Sequence, residues 1–287
     1  TTPSLSRQMT DKMSQAFEAL FLTDEINKLS PLEAVKVYEE FQELTPAGKK
    51  GDLVIQKLAE RLVDVGLLGR SIALMNSLIE NRLDKEDAAR AATRLASIQL
   101  LDDKPREALI SLQKAQEFLA SDLNPSPELN RDITLLQARA LSEKDEPQEA
   151  LSALSRVRNQ DKDVLRLRAD IAWQSGDWAE AAQSLERLIA KERISIQQPL
   201  SERQANLILN WAVALNLAGD RRALSSLRNR FVNAMQATTR SRLFNVVTRA
   251  RQNVRLTDRE TINAIVSEVD LFEDFLTSYE QNLTKSQ

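Results

Sequence analysis

The side chains in this sequence best equipped for chemistry are its arginines. Between positions 201 and 260 there are eleven Arg, no Lys and only four acidic residues, a local charge of +7, while the rest of the chain sums to −10. A guanidinium stays charged and presents a planar fork of donors that matches a carboxylate or a phosphate. The segment therefore suits an anionic partner: nucleic acid, phospholipid headgroups or an acidic protein segment. Within the Arg-rich stretch 221–259, Arg240, Arg242, Arg249, Arg251 and Arg255 are the candidate anion-binding residues. The arginines are scattered as RRALSSLRNR, TTRSRLF and TRARQNVRLTDR, with no interleaved aromatics on which bases could stack. A nucleic-acid partner is accordingly not expected. A solvated face complementing the acidic remainder, or an interface within or between chains, accounts for the same pattern.

Other chemistries are excluded by composition. The 287 residues contain no Cys and no His. Disulfides, thiolate nucleophiles and Cys-based zinc sites are therefore out, as are the commonest general base near neutral pH and the commonest transition-metal ligand. GKKGD at 48–52 lacks the spacing and the Ser or Thr that a phosphate-binding loop requires after its Lys, and is expected to cap a helix instead. Glu39 and Glu40 are adjacent on an exposed helical turn, not an acid and base aimed at one point. Asn282-Leu283-Thr284 fits a glycosylation acceptor, a pattern too common to weigh. No catalytic residue, metal ligand or cofactor site is expected, and the chain is read as a non-enzyme.

Whatever these residues do, helices must position them. Apolar residues make up 42% and charged residues 28%, enough for a core in a well-solvated protein, and six Gly and eight Pro are few for this length. The good helix formers Ala, Leu, Arg, Glu and Gln fill the rest, so an all-α fold is expected. The stretch GDWAEAAQSLERLI, 176–189, sets a helix breaker before Ala181, Leu185 and Leu188 at helical spacing, and Leu165, Ala169 and Ala172 share one helical face before it. The unit is helix, tight turn, helix.

This unit recurs. Ile55, Leu58, Ala59 and Leu62 precede Gly66, and Ser71, Met75 and Leu78 follow it. Leu95 and Ala96 precede Ala108, Leu112 and Ala115, a second helix opened by Pro105; Pro147 likewise opens a helix carrying Ala150, Leu154 and Val157. Trp211 and Ala214 before Gly219, with Ala223 and Leu227 after it, form another copy. SPLEAVKVYEEFQELTP supplies a second helix with Ser30 as N-cap and Glu33 closing a capping box, its first helix being MSQAFEALFLTDEI. Taking Ala34, Ser71, Ala108, Ala150, Ala181 and Ala223 as equivalent, the steps are 37, 37, 42, 31 and 42 residues, the long ones carrying the Pro-containing insertions NPSPELN and ERISIQQPLSERQ. After 236 two further helices are expected, the second starting at Thr257 with the stripe Ile262, Ile265, Val266, Val269, Phe272, Leu276 and Tyr279, suited to cap the array.

These copies resemble the tetratricopeptide (TPR) repeat. Ala169, Gly176, Trp178, Ala181 and Leu185 fall at that family's spacings, and Pro46 stands where its consensus Pro ends a repeat. SPLEAVKVYEEFQELTP, GKKGD and LAERLVDVGLL are similar to the repeat block of long bacterial tetratricopeptide proteins, some with export signals upstream. The resemblance implies an α-solenoid, a right-handed superhelix of TPR-like hairpins with C-terminal capping helices: an N-terminal extension at 1–13, an array over 14–235 and capping helices over 236–287. It also implies a scaffold that binds a peptide or a partner helix along the concave face of the first helices, with self-association through the solenoid ends as a further expectation.

Carried residue by residue, the concave positions are Leu53, Gln56, Glu60, Val63 and Asp64; Arg90, Thr93 and Ser97; Asp132, Leu135 and Arg139; and Asp163, Arg166, Asp170 and Trp173. Arg139, Arg166, Asp170 and Trp173 become the candidate partner-binding residues, two guanidiniums and a carboxylate beside an aromatic anchor. The same residues read equally as solvated charges and a packed Trp. Gln56 and Glu60 stand where a family subgroup keeps a carboxylate clamp, so that clamp is not present. Trp178 and Trp211 are expected in the core.

No apolar run long enough to span a membrane appears, and TTPSLSRQMT lacks the organisation of a signal peptide. A chain starting at Thr1 is expected to be a processed product or a segment of a longer protein, from a bacterial cell envelope (periplasm) or cytoplasm. Two alternatives stay open: a helical scaffold domain of a larger cell-wall enzyme, and an RNA or membrane-surface binder using 221–259.

Overall fold

The structure, a computed structural model, describes residues 2–122, 125–194 and 199–248. Among them are thirteen α-helices and no strand, so the all-α reading is correct. The chain divides into two compact units, residues 1–144 and 145–287. The first holds α1 (Thr2–Leu22), α2 (Pro31–Glu40), α3 (Lys49–Asp64), α4 (Leu68–Asn81), α5 (Lys85–Leu101), α6 (Pro105–Ala120) and α7 (Pro127–Glu143), with short 3-10 turns at Asp24–Lys28 and Gln42–Leu44. The second holds α8 (Pro147–Ser155), α9 (Lys162–Gln174), α10 (Trp178–Glu192), α11 (Glu202–Ala218), α12 (Arg221–Gln236) and α13 (Ser241–Thr248).

Six of the helices, α2, α7, α9, α10, α11 and α12, begin where a side chain satisfies their first amides. At α2 the Ser30 amide donates to Glu33 Oε2 at 2.8 Å and the Glu33 amide donates to Ser30 Oγ at 3.3 Å, the expected capping box. The Ser30 hydroxyl, donating to Glu33 Oε2 at 2.7 Å, and then the Ser30 amide hold the Glu33 carboxyl below its ordinary range. Ser201 and Gln204 form a second capping box at α11, Ser126, Asp161, Asp177 and Asp220 accept first-turn amides of α7, α9, α10 and α12, and Pro opens α2, α6, α7 and α8.

Five first helices, α3, α5, α7, α9 and α11, end on one geometry. Gly66, Gly176 and Gly219 have φ of 75°, 74° and 76°, the left-handed region open to Gly at little cost. Asp103 and Asp145 take the same place with φ of 54° and 64°, so DDKP and KDEP make the turn without Gly. The amides of Leu67, Lys104, Asp177 and Asp220 reach back to the carbonyls of Leu62, Gln99, Ala172 and Leu215 at 2.8 to 3.0 Å. This is a Schellman motif, repeated.

The equivalent small positions lie at the crossing of the paired helices. Ala34, Ser71, Ala108, Ala150 and Ala181 are fully buried, while Ala223 is only partly so. Where Ser replaces Ala, its hydroxyl donates to the Ala59 carbonyl at 2.9 Å, so a buried polar group is satisfied across the pair. In the first unit α5 packs against α4, α6 and α7. Its Ala88, Ala89, Ala91, Ala92, Leu95, Ala96 and Ile98 are all buried, a helix enclosed on most sides. In the second unit α10 packs on both α9 and α11, and α11 and α12 pack together.

Several boundaries differ from expectation for local reasons. The first helix starts at Thr2, not near Met13, and stops at Leu22, where Thr23 Oγ1 accepts the Glu25 amide and turns Asp24–Lys28 into a 3-10 turn. α8 ends at Ser155, before Val157, where the Gln160 side chain donates through Nε2 to the carbonyls of Leu154 and Val157 at 3.0 and 2.7 Å. α13 is the first of the two helices expected after 236. It packs on α11 and α12, with Phe244 and Val247 in the cluster that holds Trp211 and Phe231. The helix expected from Thr257 and its stripe from Ile262 to Tyr279 lie outside the described residues.

Candidate interaction surfaces

On α9, Arg166, Asp170 and Trp173 follow one another at intervals of four and three residues and share a face. Arg166 is held from both sides: its Nη2 donates to Glu192 Oε1 at 2.9 Å and its Nη1 lies 3.7 Å from Asp163 Oδ1. Glu192, the last residue of α10, also receives Lys162 Nζ at 3.1 Å on its other oxygen, so one carboxylate ties the end of α10 to the first turns of α9. Asp170 accepts from Gln174 Nε2 at 3.3 Å. Trp173 is half-buried, packed on the core and set edge-on to Trp178 with ring centroids 5.3 Å apart at 90°.

The position of that face is fixed from behind. Arg168 donates through Nε and Nη2 to Glu180 Oε1 at 2.9 and 2.6 Å, and Ser184 Oγ donates to the same oxygen at 3.1 Å. This bridge locks α9 to α10 on the side opposite Arg166 and Asp170. Trp178, expected in the core, is half-buried; Trp211 is buried and meets Phe231 edge-on at 6.5 Å.

Arg139, the fourth candidate, lies on α7 in the first unit, where its Nε donates to Glu143 Oε1 at 2.8 Å. Burial pushes the Glu143 carboxyl above its ordinary range and Arg139 pulls it part of the way back. Three residues expected to line an open face are buried instead: Thr93, Ser97 and Leu135. Thr93 and Ser97 turn their hydroxyls onto the carbonyls of Ala89 and Arg94, both at 2.7 Å, the arrangement of polar side chains enclosed in a helix pack. On α3, Gln56 and Glu60 are half-buried and Asp64 is exposed, with Glu60 3.8 Å from Arg94 of α5.

Of the arginine candidates, Arg242 is exposed in the first turn of α13, and Arg240 just before it is half-buried with its Nε enclosed and unpartnered. Arg249, Arg251 and Arg255 lie outside the described residues. Over 221–248 there are six Arg and no acidic residue. Among the described residues none of the six forms an ion pair; Arg228 instead donates to Thr248 Oγ1 at 2.6 Å, joining α12 to α13.

The sequence reading missed one group of cations with a clear structural task. Arg61 of α3 donates to the carbonyls of Ile26 and, at 2.7 Å, Leu29, and Lys57 reaches the Leu22 carbonyl at 3.5 Å. The two lie four residues apart on one helical face, which is visible in sequence, but their acceptors are backbone atoms and carry no residue signature. Among the described residues there is no group of three or more metal-ligating side chains, and no helix is long and apolar enough to cross a membrane.

Helical hairpins closed by one recurrent left-handed turn, with small residues at the crossing, define the fold as a TPR-like α-helical repeat. No family model matches the chain. No curated protein matches it either. Among solved structures it is similar to Pseudomonas aeruginosa PilF, at 13% identity and a TM-score of 0.50, over 83% of this chain and 98% of that one. It is also similar to YrrB, described as a TPR protein with an unusual peptide-binding site, at 16% identity and a TM-score of 0.46 over 73% and 96%. A third is the TPR2AB domain of yeast Sti1 in complex with pHSP90, at 13% and 0.28 over 84% and 99%.

Proposed function

We propose that this chain is a non-enzymatic protein-interaction scaffold that takes a peptide or partner helix on the first helices of its hairpins, with Arg166, Asp170 and Trp173 of α9 as the recognition cluster. The observation that supports this most directly is the setting of Arg166. Glu192 and Asp163 fix its orientation from Nη2 and Nη1, and a guanidinium carries five donor hydrogens, so donors remain for an incoming carboxylate or backbone carbonyl. Two turns along, Trp173 leaves part of its indole uncovered while Trp178 locks its edge. A cation and an aromatic held in place before binding lose little side-chain freedom when a partner arrives. A sequence without Cys or His supports the non-enzymatic part of the reading.

The test is a pull-down from native lysate with the wild-type chain beside an Arg166→Glu, Trp173→Ala variant, retained proteins being identified by mass spectrometry. A partner kept by the wild type and lost by the variant, with the circular dichroism of the two alike, supports the α9 surface. Equal retention of every partner by both overturns it.

A further inference from the structure

Arg139, Arg166 and Arg168 lie on first helices with side chains only 12 to 13% exposed, and each donates to a carboxylate at 2.6 to 2.9 Å. Arg94, on the first helix α5, is nearly as enclosed at 19% but is not paired in this way. The Glu60 carboxylate of α3 stays 3.8 Å from its Nη2, and its enclosed Nε has no acceptor. No hydrogen bond from its guanidinium closes on a described residue. Taking a guanidinium out of water is costly unless its donors find acceptors, so a charge enclosed and unbonded stands ready for one that arrives from outside.

Arg94 is also where α5 is open. From Ala88 to Leu100 every residue of α5 except Arg90 and Arg94 is buried. Positions 90, 94 and 101 share one face of the helix, and Leu101 is exposed at its end. Arg90 donates to Glu86 one turn before it, so its charge is already answered. The open strip therefore offers an unbonded cation and, about 10 Å along the axis, an uncovered aliphatic side chain.

The geometry points to Arg94 as the recognition residue for a side-chain carboxylate of a protein segment, with Leu101 receiving an apolar residue of the same segment. This rests on the reading of the chain as a scaffold that binds along its first helices. The acidic and the apolar residue stand about 10 Å apart, three residues of an extended segment or seven of a helix. Glu60 is close enough to attract the guanidinium and too far to occupy its donors, so the incoming carboxylate takes charge-assisted hydrogen bonds that the fold leaves unmade. A nucleic acid fits less well, because the strip carries an aliphatic side chain and no aromatic on which a base could stack.

The test is selection of displayed random dodecapeptides on the full chain, with fluorescence anisotropy of those enriched. They should carry an Asp or Glu and an apolar residue at the stated spacing. Replacing that carboxylate by an amide, or making Arg94→Met in the protein, should weaken binding at least about tenfold. Glu60→Gln should tighten it, since a competing negative charge is removed. Arg94→Met should melt at or above the wild-type temperature, because an apolar side chain replaces an unanswered charge. A clearly lower melting temperature would mean that Arg94 serves the fold through Glu60, and overturns the proposal. So does a selection that enriches nothing, or peptides without a carboxylate, or binding that Arg94→Met leaves intact, or a labelled single-stranded RNA bound through Arg94 in place of peptide. Peptides kept by Arg94→Met but lost by the Arg166→Glu, Trp173→Ala variant overturn this site and leave the α9 reading standing; the reverse pattern supports this site and counts against α9.

Discussion

Gly51→Ala tests how the structure uses a glycine that sequence reading assigns only to a cap. GKKGD does cap a helix: Gly48, with φ of 70°, is the N-cap of α3. Gly51 has another reason to be Gly. A Cβ there would lie 1.9 Å from the Pro46 carbonyl oxygen and 2.5 Å from Arg82 Nη2. Arg82 donates to that oxygen at 2.6 Å and through Nε to Asp52 at 2.7 Å, so one guanidinium pins the turn before α3. A backbone oxygen cannot be cleared by a change of rotamer, and the turn must move by more than an ångström or so, which breaks the Arg82–Pro46 bond. Overpacking costs about 1–3 kcal/mol, and a hydrogen bond to a charged group is worth roughly 1.5–3 kcal/mol, less here because Arg82 is partly exposed. The helix propensity of Ala returns about 1 kcal/mol. The net expectation is a destabilisation of about 2–4 kcal/mol. Urea unfolding followed by circular dichroism reads it as a lower midpoint at unchanged slope. Gly69→Ala is the matched control: Gly69 is also helical but its Cβ meets nothing within 4 Å, so that substitution should be neutral or stabilise by up to about 1 kcal/mol. If Gly51→Ala were as stable as Gly69→Ala, the packing argument would be wrong.

Two further expectations concern groups with no part in the proposed interfaces. Arg61→Ala should destabilise by about 2 kcal/mol, since the carbonyls of Ile26 and Leu29 lose their charged donor; hydrogen exchange should show the loss concentrated in α1 and the Asp24–Lys28 turn, and uniform protection across the first unit would refute the assignment. The Glu143 carboxyl is raised in the folded chain by burial, so folding favours its protonated form. The stability this contributes is present below the unfolded carboxylate value and is lost as pH rises through the raised folded value. Thermal melts from about pH 4 to about pH 7 should therefore show the wild type losing ground against Glu143→Gln as pH increases, and parallel curves would remove Glu143 from the account.

What was legible in sequence follows from how locally each feature is determined. Caps, turns and the apolar stripe are written in neighbouring residues, so Ser30 with Glu33, the three turn glycines and the buried small positions from Ala34 to Ala181 were all readable. Asp103 and Asp145 show the limit. The Pro that follows each marks a helix start, yet only the backbone reveals that Asp replaces Gly in the same left-handed turn. α1 shows it again: the stretch from Thr2 carries no strong stripe, but helix continues through it because nothing in TPSLSRQMTDKM breaks it after the first turn.

The interaction surface was less legible because a repeat position does not determine what surrounds it. Thr93, Leu135 and Arg166 occupy the same place in successive first helices, yet the first two are buried and Arg166 keeps only an edge of its guanidinium in reach of solvent. Sequence periodicity reports which face of a helix points away from its own partner, not whether another element then covers it. Composition adds what periodicity lacks. A solenoid position that stays open tends to carry groups whose charge is answered from outside the helix, and Arg166, answered by Glu192 at the far end of α10, is a better guide to an open face than the hydroxyls of Thr93 and Ser97, answered within their own turn.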